Sequence, residues 1–328
     1  MFGLNSKNKL QPNQKPVGFW LVLFFLYLLM GSISGAFISK WVLSYVFNGN
    51  MDVVNSFWGS PQEYEEHKVL YITVLGISNL CSYFVSALFF LKKENGLLKF
   101  QLSNPMNSLV NSKNWWAMGL VVSVLPTVFL LNDINRSLYD WVIFSFDLTF
   151  INESNQQLEK IYNFLLASND FKTILFSVVW LAVVPAVGEE LVFRGVLQNL
   201  FSRGLKNHHI AIFFTSFIFA LLHFEFTGFL TRMLVGALFG YLYFWTKNIY
   251  VPIFSHLAFN VSSLILGFLA TNNVIPIDIV NSNSFDSFLW VILLIYTVLS
   301  VLLIKLFYKK EKVYVIQMGK DRGFQDGA

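Results

Sequence analysis

Residues 188–195 read GEELVFRG and place Glu189, Glu190 and Arg194 inside a long apolar run. A charged side chain at the centre of a bilayer costs about 2.5–3.5 kcal/mol on insertion scales, so it needs a partner or a water-filled cavity. Three ionisable groups so close together in an apolar segment therefore mark a candidate functional site.

The composition is that of a membrane protein. Of the 328 residues, 55% are hydrophobic and 13% are charged, with a mean hydropathy of +0.56, whereas a soluble domain carries about 25% charged residues. The net charge of +4 does not indicate a nucleic-acid partner, because the basic residues lie in short loops and tails beside apolar segments. The single cysteine, Cys81, excludes an intramolecular disulfide.

Windows of about 20 apolar residues, the length of a membrane-spanning helix, identify eight segments. These segments are residues 17–38, 69–91, 115–131, 172–200, 209–226, 228–246, 249–270 and 287–307. The sequence therefore predicts an all-α fold, a polytopic integral membrane bundle of about eight transmembrane helices. The long connection 133–170 is predicted to be an interfacial segment with a short helix, which either gates substrate or lies on the membrane surface.

The charges of the loops predict the orientation, because an excess of Lys and Arg faces the cytoplasm. The basic stretches are the N-terminal tail and residues 92–113, 203–206, 247 and 305–312, and the acidic stretches are residues 52–66, 133–170 and 278–286. The two groups alternate along the chain, so we expect both termini to be cytoplasmic. Because no organelle signal is visible, we expect the bacterial plasma membrane.

Helix periodicity gives the two glutamates different surroundings. Glu190 and Arg194 are four residues apart, with the acid on the N-terminal side, which is the favourable orientation for an ion pair. Glu189 is rotated about 100° from Glu190 on an α-helix, so the two carboxylates point in different directions. One glutamate is thus expected to pair with Arg194, and the other is left for chemistry. Pro185 lacks an N–H and is expected to kink the backbone nearby.

Two later spans carry polar groups with the same four-residue spacing. His256 and Asn260 share one face in HLAFN, and Phe219 and His223 share one face in FALLH. Each group also has a structural interpretation: a single His or Asn commonly forms a hydrogen bond between membrane helices, and Glu190–Arg194 alone fits a packing ion pair. The convergence of three helices on one place favours a site.

A carboxylate and an imidazole around a wet pocket can activate water, while an amide and a second imidazole can stabilise an oxyanion. This combination is typical of a hydrolase. The sequence has no membrane Ser–His–Asp pattern, no paired intramembrane aspartates, no HExxH and no Glu-x-x-His pairs, so the corresponding protease and di-iron classes are not indicated.

The residues EELVFR at 189–194, FALLH at 219–223 and HLAFN at 256–260 resemble the three motifs of the CPBP family, also called the Abi or type II CAAX prenyl protease family. Those motifs read EExxxR, FxxxH and HxxxN or HxxxD. All three occur here in the family's order, within about residues 170–270. Three motifs in order are specific for the family but not for the substrate.

The resemblance implies an eight-helix intramembrane endopeptidase. Carried over to this sequence, Glu189 is the general base that activates water and His223 helps to position it. His256 and Asn260 stabilise the oxyanion, and Glu190, Arg194 and Phe219 support the site. The expected substrate is a prenylated or otherwise hydrophobic peptide at the membrane.

The resemblance leaves the metal question open, because such enzymes could act as glutamate proteases or as metalloproteases. We favour a metal-free site without cofactor. The alternative is Zn²⁺ held by Glu189, Glu190, His223 and His256, since two Glu and two His are zinc ligands.

The expected domain organisation follows from the spans and the resemblance. Residues 1–16 form a cytoplasmic tail, residues 17–170 the N-terminal transmembrane helices with the interfacial segment, residues 171–270 the catalytic core, and residues 271–328 the last transmembrane helix and a basic cytoplasmic tail. Counting from Phe171 puts Glu189 near the cytoplasmic surface, and only a shift of this span by several residues would bring it to the middle of the membrane beside His223.

Two other functions fit parts of the sequence. A proton-coupled transporter uses buried Glu and His as a relay, but it distributes them along a path through the bilayer, whereas here they cluster. A non-catalytic scaffold or immunity protein is the other alternative, although no residue departs from the motif set.

Overall fold

The computed structural model describes residues 16–93, 112–146, 149–168, 170–275 and 287–321, and all of the regular structure in these ranges is helical. The predicted all-α class is therefore confirmed. The α-helices are α1 Val17–Val46, α2 Met51–Gly59, α3 Lys68–Asn79, α4 Ser86–Lys93, α5 Ser112–Ser123, α6 Leu125–Phe146, α7 Thr149–Leu166, α8 Phe171–Ser177, α9 Val184–Glu190, α10 Gln198–Leu205, α11 His208–Leu221, α12 Phe229–Thr246, α13 Tyr250–Thr271 and α14 Ser287–Asp321.

Five helical stretches within the described ranges are long and apolar enough to cross a membrane. They are Val17–Val46, Glu65–Lys92, Phe171–Leu205, Phe226–Thr246 and Tyr250–Thr271. Shorter apolar helices occupy Trp115–Val128 and His208–Leu221, and the predicted span 287–307 lies inside α14. The predicted helical membrane bundle is confirmed, while the predicted spans at 115–131 and 209–226 correspond to helices shorter than a full span.

The third predicted span differs most from the structure. The chain turns at Val124, and α6 then continues to Phe146 instead of ending at residue 131. The span predicted from hydropathy ends too early because α6 carries polar residues such as Asn132 and Asn135. Within the described residues, the connection predicted for 133–170 thus consists of two helices: the second half of α6, and α7, which packs against Pro61–Glu63, α13 and the Phe226–Gly228 turn.

Those polar residues of α6 hold the tip of a short helical hairpin. Helices α11 and α12 pack along each other and are joined by the Phe226–Gly228 turn. Asn135 donates to the carbonyl oxygens of Phe226, at 2.9 Å, and Thr227, and it accepts from the amide of Leu230 at 3.0 Å. In the interior of a membrane such backbone groups need protein partners, because no water is available to them.

The span that contains the quoted stretch is not a uniform α-helix. Two π-helical stretches, Val178–Val183 and Leu191–Leu197, separate α8, α9 and α10. Pro185 follows the first of them at the start of α9, where the hydrogen-bond ladder is already irregular. Glu189 is the nineteenth of the 35 residues in Phe171–Leu205, so about 27 Å and about 24 Å of helix lie on its two sides. The structure thus places Glu189 at the middle of this long span.

Candidate active site

The predicted ion pair between Glu190 and Arg194 forms in the protein interior. Arg194 Nη1 lies 2.7 Å from Glu190 Oε1, and both side chains have 0% exposure. Arg194 Nη2 donates to the carbonyl oxygen of Gly236 on α12 at 2.5 Å. Leu191–Leu197 is π-helical, but two residues four positions apart still lie about one turn apart on such a helix. The ion pair predicted for an α-helix therefore forms here as well.

Three aromatic rings surround the guanidinium. The Arg194 Cζ atom lies 5.3 Å, 5.5 Å and 6.0 Å from the ring centroids of Phe219, Phe239 and Phe193. A cation within about 6 Å of an aromatic face is attracted to it, most strongly where water is excluded. Arg194 is therefore held by one carboxylate, one carbonyl and three rings, as expected for a structural cation.

His256 of α13 connects the two glutamates. Its Nδ1 lies 2.8 Å from Glu190 Oε1, and its Nε2 lies 3.9 Å from Glu189 Oε2. The imidazole is 4% exposed and stacks on Phe239 with 4.8 Å between ring centroids. Because a carboxylate accepts hydrogen bonds, the geometry assigns the Nδ1 proton of His256 to the bond with Glu190.

His223, which follows the end of α11, also lies close to Glu189. Its Nδ1 lies 2.7 Å from the carbonyl oxygen of Phe219 and its Nε2 lies 4.0 Å from Glu189 Oε2. A carbonyl can only accept, so Nδ1 carries the proton and Nε2 of the neutral ring is an acceptor. The side chain is 26% exposed, whereas the rest of the site is nearly closed.

Glu189 differs from Glu190 in having no arginine in direct contact with its carboxylate. It is 6% exposed, and its Oε2, like Glu190 Oε2 and Arg194 Nε, has no hydrogen-bond partner among the residues that the structure describes. Burial of an unpaired carboxylate is unfavourable.

Asn260 lies one turn after His256 on α13. Its Nδ2 donates a long bond of 3.4 Å to the carbonyl oxygen of Ala182, in the first π-helical stretch of the central span. The structure thus places Asn260 on the helix face predicted from HLAFN. Its amide is directed to the backbone of the same long helix that carries Glu189.

A zinc ion does not fit the side chains as they are placed. In the described part of the chain, no group of three or more His, Cys, Asp and Glu side chains is arranged to hold a metal. Glu190 is occupied by Arg194 and His256. The distances of 3.9 Å and 4.0 Å from Glu189 Oε2 to the two Nε2 atoms exceed the edge of about 3.3 Å expected for a tetrahedral zinc site with bonds of about 2.0 Å.

Helix α12 contributes backbone groups that the sequence analysis missed. The carbonyl oxygen of Gly236 accepts from Arg194, and that of Gly240 accepts from Gln198 Nε2 at 3.1 Å. A Cβ atom at Gly236 would lie 3.0 Å from the Phe219 ring, so glycine permits this close approach. The sequence does carry a pattern typical of close helix packing, the small-xxx-small pattern Gly236-x-x-x-Gly240. Its four-residue spacing matches that of Arg194 and Gln198.

Asn199 is a second residue that the sequence analysis missed. Its Nδ2 lies 2.8 Å and 3.0 Å from the carbonyl oxygens of Arg194 and Gly195. Carbonyl groups near the end of a π-helical stretch lose the regular i to i+4 pattern. Asn199 therefore stabilises the π-helical stretch that positions Arg194. In the sequence, the only indication of this role is the presence of an asparagine shortly after EELVFR.

Comparisons with known proteins agree with the three motifs. Residues 171–262 match the family model described as type II CAAX prenyl endopeptidase Rce1-like, so the resemblance inferred from the sequence is confirmed. The chain is also 35% identical over 83 residues to the uncharacterized protein YpbD of Bacillus subtilis (strain 168), which is 24% of this chain and 39% of that relative. The chain thus matches about two fifths of the length of this curated relative. No solved structure matches the chain.

Proposed function

We propose that this chain, whose residues 171–262 match the Rce1-like family model, is an intramembrane endopeptidase that uses Glu189 to activate water. One observation carries the proposal: the buried Oε2 atom of Glu189 has no partner in the described chain and faces the Nε2 atoms of His223 and His256 at 4.0 Å and 3.9 Å. An unpaired carboxylate between two imidazoles is suited to general base catalysis.

The spacing of these atoms is suited to a water molecule. Atoms 3.9–4.0 Å apart are too far apart for a direct hydrogen bond, but one water oxygen fits at about 2.8 Å from each. Such a water donates one proton to Glu189 and the other to the Nε2 acceptor of His223. His223, fixed by its bond to the Phe219 carbonyl, orients the water and leaves its lone pair for the substrate.

The reaction then follows from the positions of the groups. Glu189 takes a proton from water, and the resulting hydroxide attacks the carbonyl carbon of a peptide bond. Negative charge develops on the carbonyl oxygen, and His256 and the Asn260 amide stabilise this charge. Glu189 returns its proton to the departing nitrogen as the C–N bond breaks, which releases an amine and a carboxylic acid.

Glu190 and Arg194 support this chemistry through His256. Glu190 accepts from His256 Nδ1 and fixes the orientation of this ring, while Arg194 forms the ion pair with Glu190. Phe219 and Phe239 restrict the two imidazoles through ring contacts of 4.7 Å and 4.8 Å. These residues position the site and do not contact the reacting atoms.

The proposed mechanism is metal-free, because Glu189, His223, His256 and Asn260 already provide a base and oxyanion donors. The proposed substrate is a prenylated or otherwise hydrophobic peptide at the membrane, in keeping with the description of the family model. We further propose that the protein lies in a bacterial plasma membrane with both termini in the cytoplasm, as the loop charges indicate.

The test is a peptide-cleavage assay on the full chain purified in detergent micelles. The probes are a fluorescent farnesylated peptide with its cysteine fourth from the C-terminus, and the same peptide without the lipid. Wild type is compared with Glu189→Gln, and Glu63→Gln serves as the matched control because Glu63 is exposed and far along the chain from the motifs. Each protein is assayed with and without a strong chelator.

Cleavage by wild type and by the control, lost in Glu189→Gln and unaffected by chelator, supports the proposal. Loss of activity with chelator and its recovery with zinc contradicts the metal-free mechanism. Comparable rates with both peptides point to a hydrophobic rather than a prenylated substrate. Wild-type turnover by Glu189→Gln refutes the role of Glu189.

A further inference from the structure

Four exposed basic side chains lie at the neighbouring ends of three helices. Lys206 follows α10, His208 and His209 begin α11, and Lys247 follows α12. These four residues, which we call the basic cluster, come close together because α11 and α12 pack along each other as a hairpin. The cluster lies at the end of the hairpin away from the Phe226–Gly228 turn.

The basic cluster has no acidic residue to balance it. Residues 191–224 and 226–277 contain no Asp or Glu. In the described part of the chain, no carboxylate forms an ion pair with Lys206 or Lys247. Like charges on one surface repel one another, so an anion from outside the chain would stabilise this arrangement.

The ring of Phe244 on α12 brings three members of the cluster to one place. Its centroid lies 4.8 Å from that of the His208 ring and 6.2 Å from that of the His209 ring. Lys247 Nζ lies 4.2 Å from the same centroid. An aromatic face attracts a cation without neutralising its charge. Phe244 therefore holds these groups together and leaves them able to bind an anion.

One nitrogen of each imidazole is fixed by a hydrogen bond. His209 Nδ1 lies 2.9 Å from the hydroxyl of Tyr241, and His208 Nδ1 lies 3.3 Å from that of Ser202. Among the described residues, neither Nε2 atom forms a hydrogen bond. Each ring thus has a defined orientation and one nitrogen with which to bind a ligand.

Aromatic rings beside the cluster indicate its depth in the membrane. The ring of Trp245 lies 5.4 Å from that of Tyr241 on the same helix and 5.4 Å from that of Tyr308 on α14. Tyr and Trp are enriched where a membrane meets water, at the level of the lipid headgroups. These rings therefore place the basic cluster at headgroup level.

The surface next to the cluster is apolar. On α11, directly after the two histidines, Ile210, Phe213 and Phe214 are 44%, 51% and 43% exposed. A free anion in water gains nothing from such side chains, whereas the acyl chains of a lipid pack on them. The ligand that fits this surface thus has an anionic head and an apolar tail.

We infer that the basic cluster binds the headgroup of an anionic phospholipid, whose acyl chains lie along the exposed face of α11. Ammonium and imidazole groups donate strong hydrogen bonds to phosphate oxygens. The preference of basic loops for one side of a membrane explains the number of cations here. It does not explain why they surround one aromatic ring. This inference is independent of the proposed peptidase function.

The experiment counts lipids bound to the full-length protein in detergent micelles by native mass spectrometry. The probes are phosphatidylglycerol and phosphatidylcholine with the same acyl chains. Wild type is compared with Lys206→Gln combined with Lys247→Gln. The matched control is Lys160→Gln combined with Lys172→Gln, which removes two exposed lysines from α7 and α8 and changes the net charge equally.

Wild type is expected to bind phosphatidylglycerol more tightly than phosphatidylcholine. Each lysine near a membrane surface strengthens binding to anionic lipid about 5-fold, so loss of Lys206 and Lys247 should weaken it about 20-fold. The control pair should retain wild-type affinity, as should Lys206→Arg combined with Lys247→Arg. Phosphatidylglycerol should also raise the unfolding temperature of wild type, and raise it less in the glutamine variant.

Equal affinity of wild type for the two lipids would overturn the inference. An equal loss of affinity in the Lys160 and Lys172 control would also overturn it, because the effect would then follow net charge alone. Displacement of phosphatidylglycerol by inorganic phosphate at constant ionic strength would identify a site for free phosphate and overturn the assignment to a lipid.

Discussion

Replacement of Arg194 by methionine is the most informative perturbation of the fold. It leaves Glu190, which has 0% exposure, without its cation, and removal of one partner of a buried ion pair costs about 3–5 kcal/mol. The variant also removes the donor to the Gly236 carbonyl, whose desolvation costs about 1–3 kcal/mol. Because these effects share one cavity, we expect a total loss of about 4–6 kcal/mol in the free energy of unfolding.

Methionine retains much of the packing against the three phenylalanine rings, so the loss reports mainly the charge and the hydrogen bonds. The assay is unfolding of the purified protein in mixed micelles, followed by intrinsic tryptophan fluorescence. Glu190→Gln combined with Arg194→Met should recover part of the loss, because the stranded charge is then absent. A loss under about 1 kcal/mol in the single variant would refute the view that Arg194 is a structural cation.

Three further predictions concern the scaffold. Asn135→Leu should destabilise the protein by at least about 2 kcal/mol, because three backbone groups of the hairpin tip lose their partner. Asn152 is an exposed amide, so the control variant Asn152→Leu should have little effect. Equal unfolding curves for the two variants would disprove this role of Asn135. Gly76→Ala should cost about 1–3 kcal/mol, because its Cβ would collide with the Trp180 ring. Trp180→Leu should relieve part of this loss in unfolding measurements, and a loss that Trp180→Leu leaves unchanged would contradict this explanation. Hydrogen bonds from Thr173 lower the pKa of Asp170, so this N-cap stabilises α8 at neutral pH and loses its effect as the pH falls through that lowered pKa. The difference in unfolding midpoint between wild type and Asp170→Ala should therefore shrink in acid. A difference that does not change with pH would contradict this assignment.

The helical class and most of the spans were predictable because apolar runs of about 20 residues are a strong signal. The exceptions have one physical cause. Asn132 and Asn135 look like loop residues, yet both lie in α6. The Asn135 amide pairs with backbone groups of the hairpin tip, and Asn132 Oδ1 accepts from the Thr231 hydroxyl. A hydropathy scale counts such residues as polar. It contains no information about their hydrogen-bond partners, which lie almost 100 residues away in the sequence.

The pairing of Glu190 with Arg194 was predictable because it depends only on a separation of four residues. The different surroundings of the two glutamates depend also on His256 from α13, whose Nδ1 lies 2.8 Å from Glu190 Oε1 and whose Nε2 lies 3.9 Å from Glu189 Oε2; this contact between distant helices was not predictable from spacing. The π-helical stretch at Leu191–Leu197 is likewise an outcome of tertiary packing, and no local sequence pattern predicts it.

The central claim is that two adjacent glutamates have separate tasks, Glu189 in chemistry and Glu190 in structure. The most direct test measures cleavage rate and unfolding midpoint for Glu189→Gln and Glu190→Gln in one set of preparations. The account predicts that Glu189→Gln is inactive with wild-type stability or higher, because an unpaired buried charge is removed, and that Glu190→Gln is clearly less stable, because Arg194 is stranded. Wild-type turnover by Glu189→Gln, or equal stability of the two variants, would contradict it.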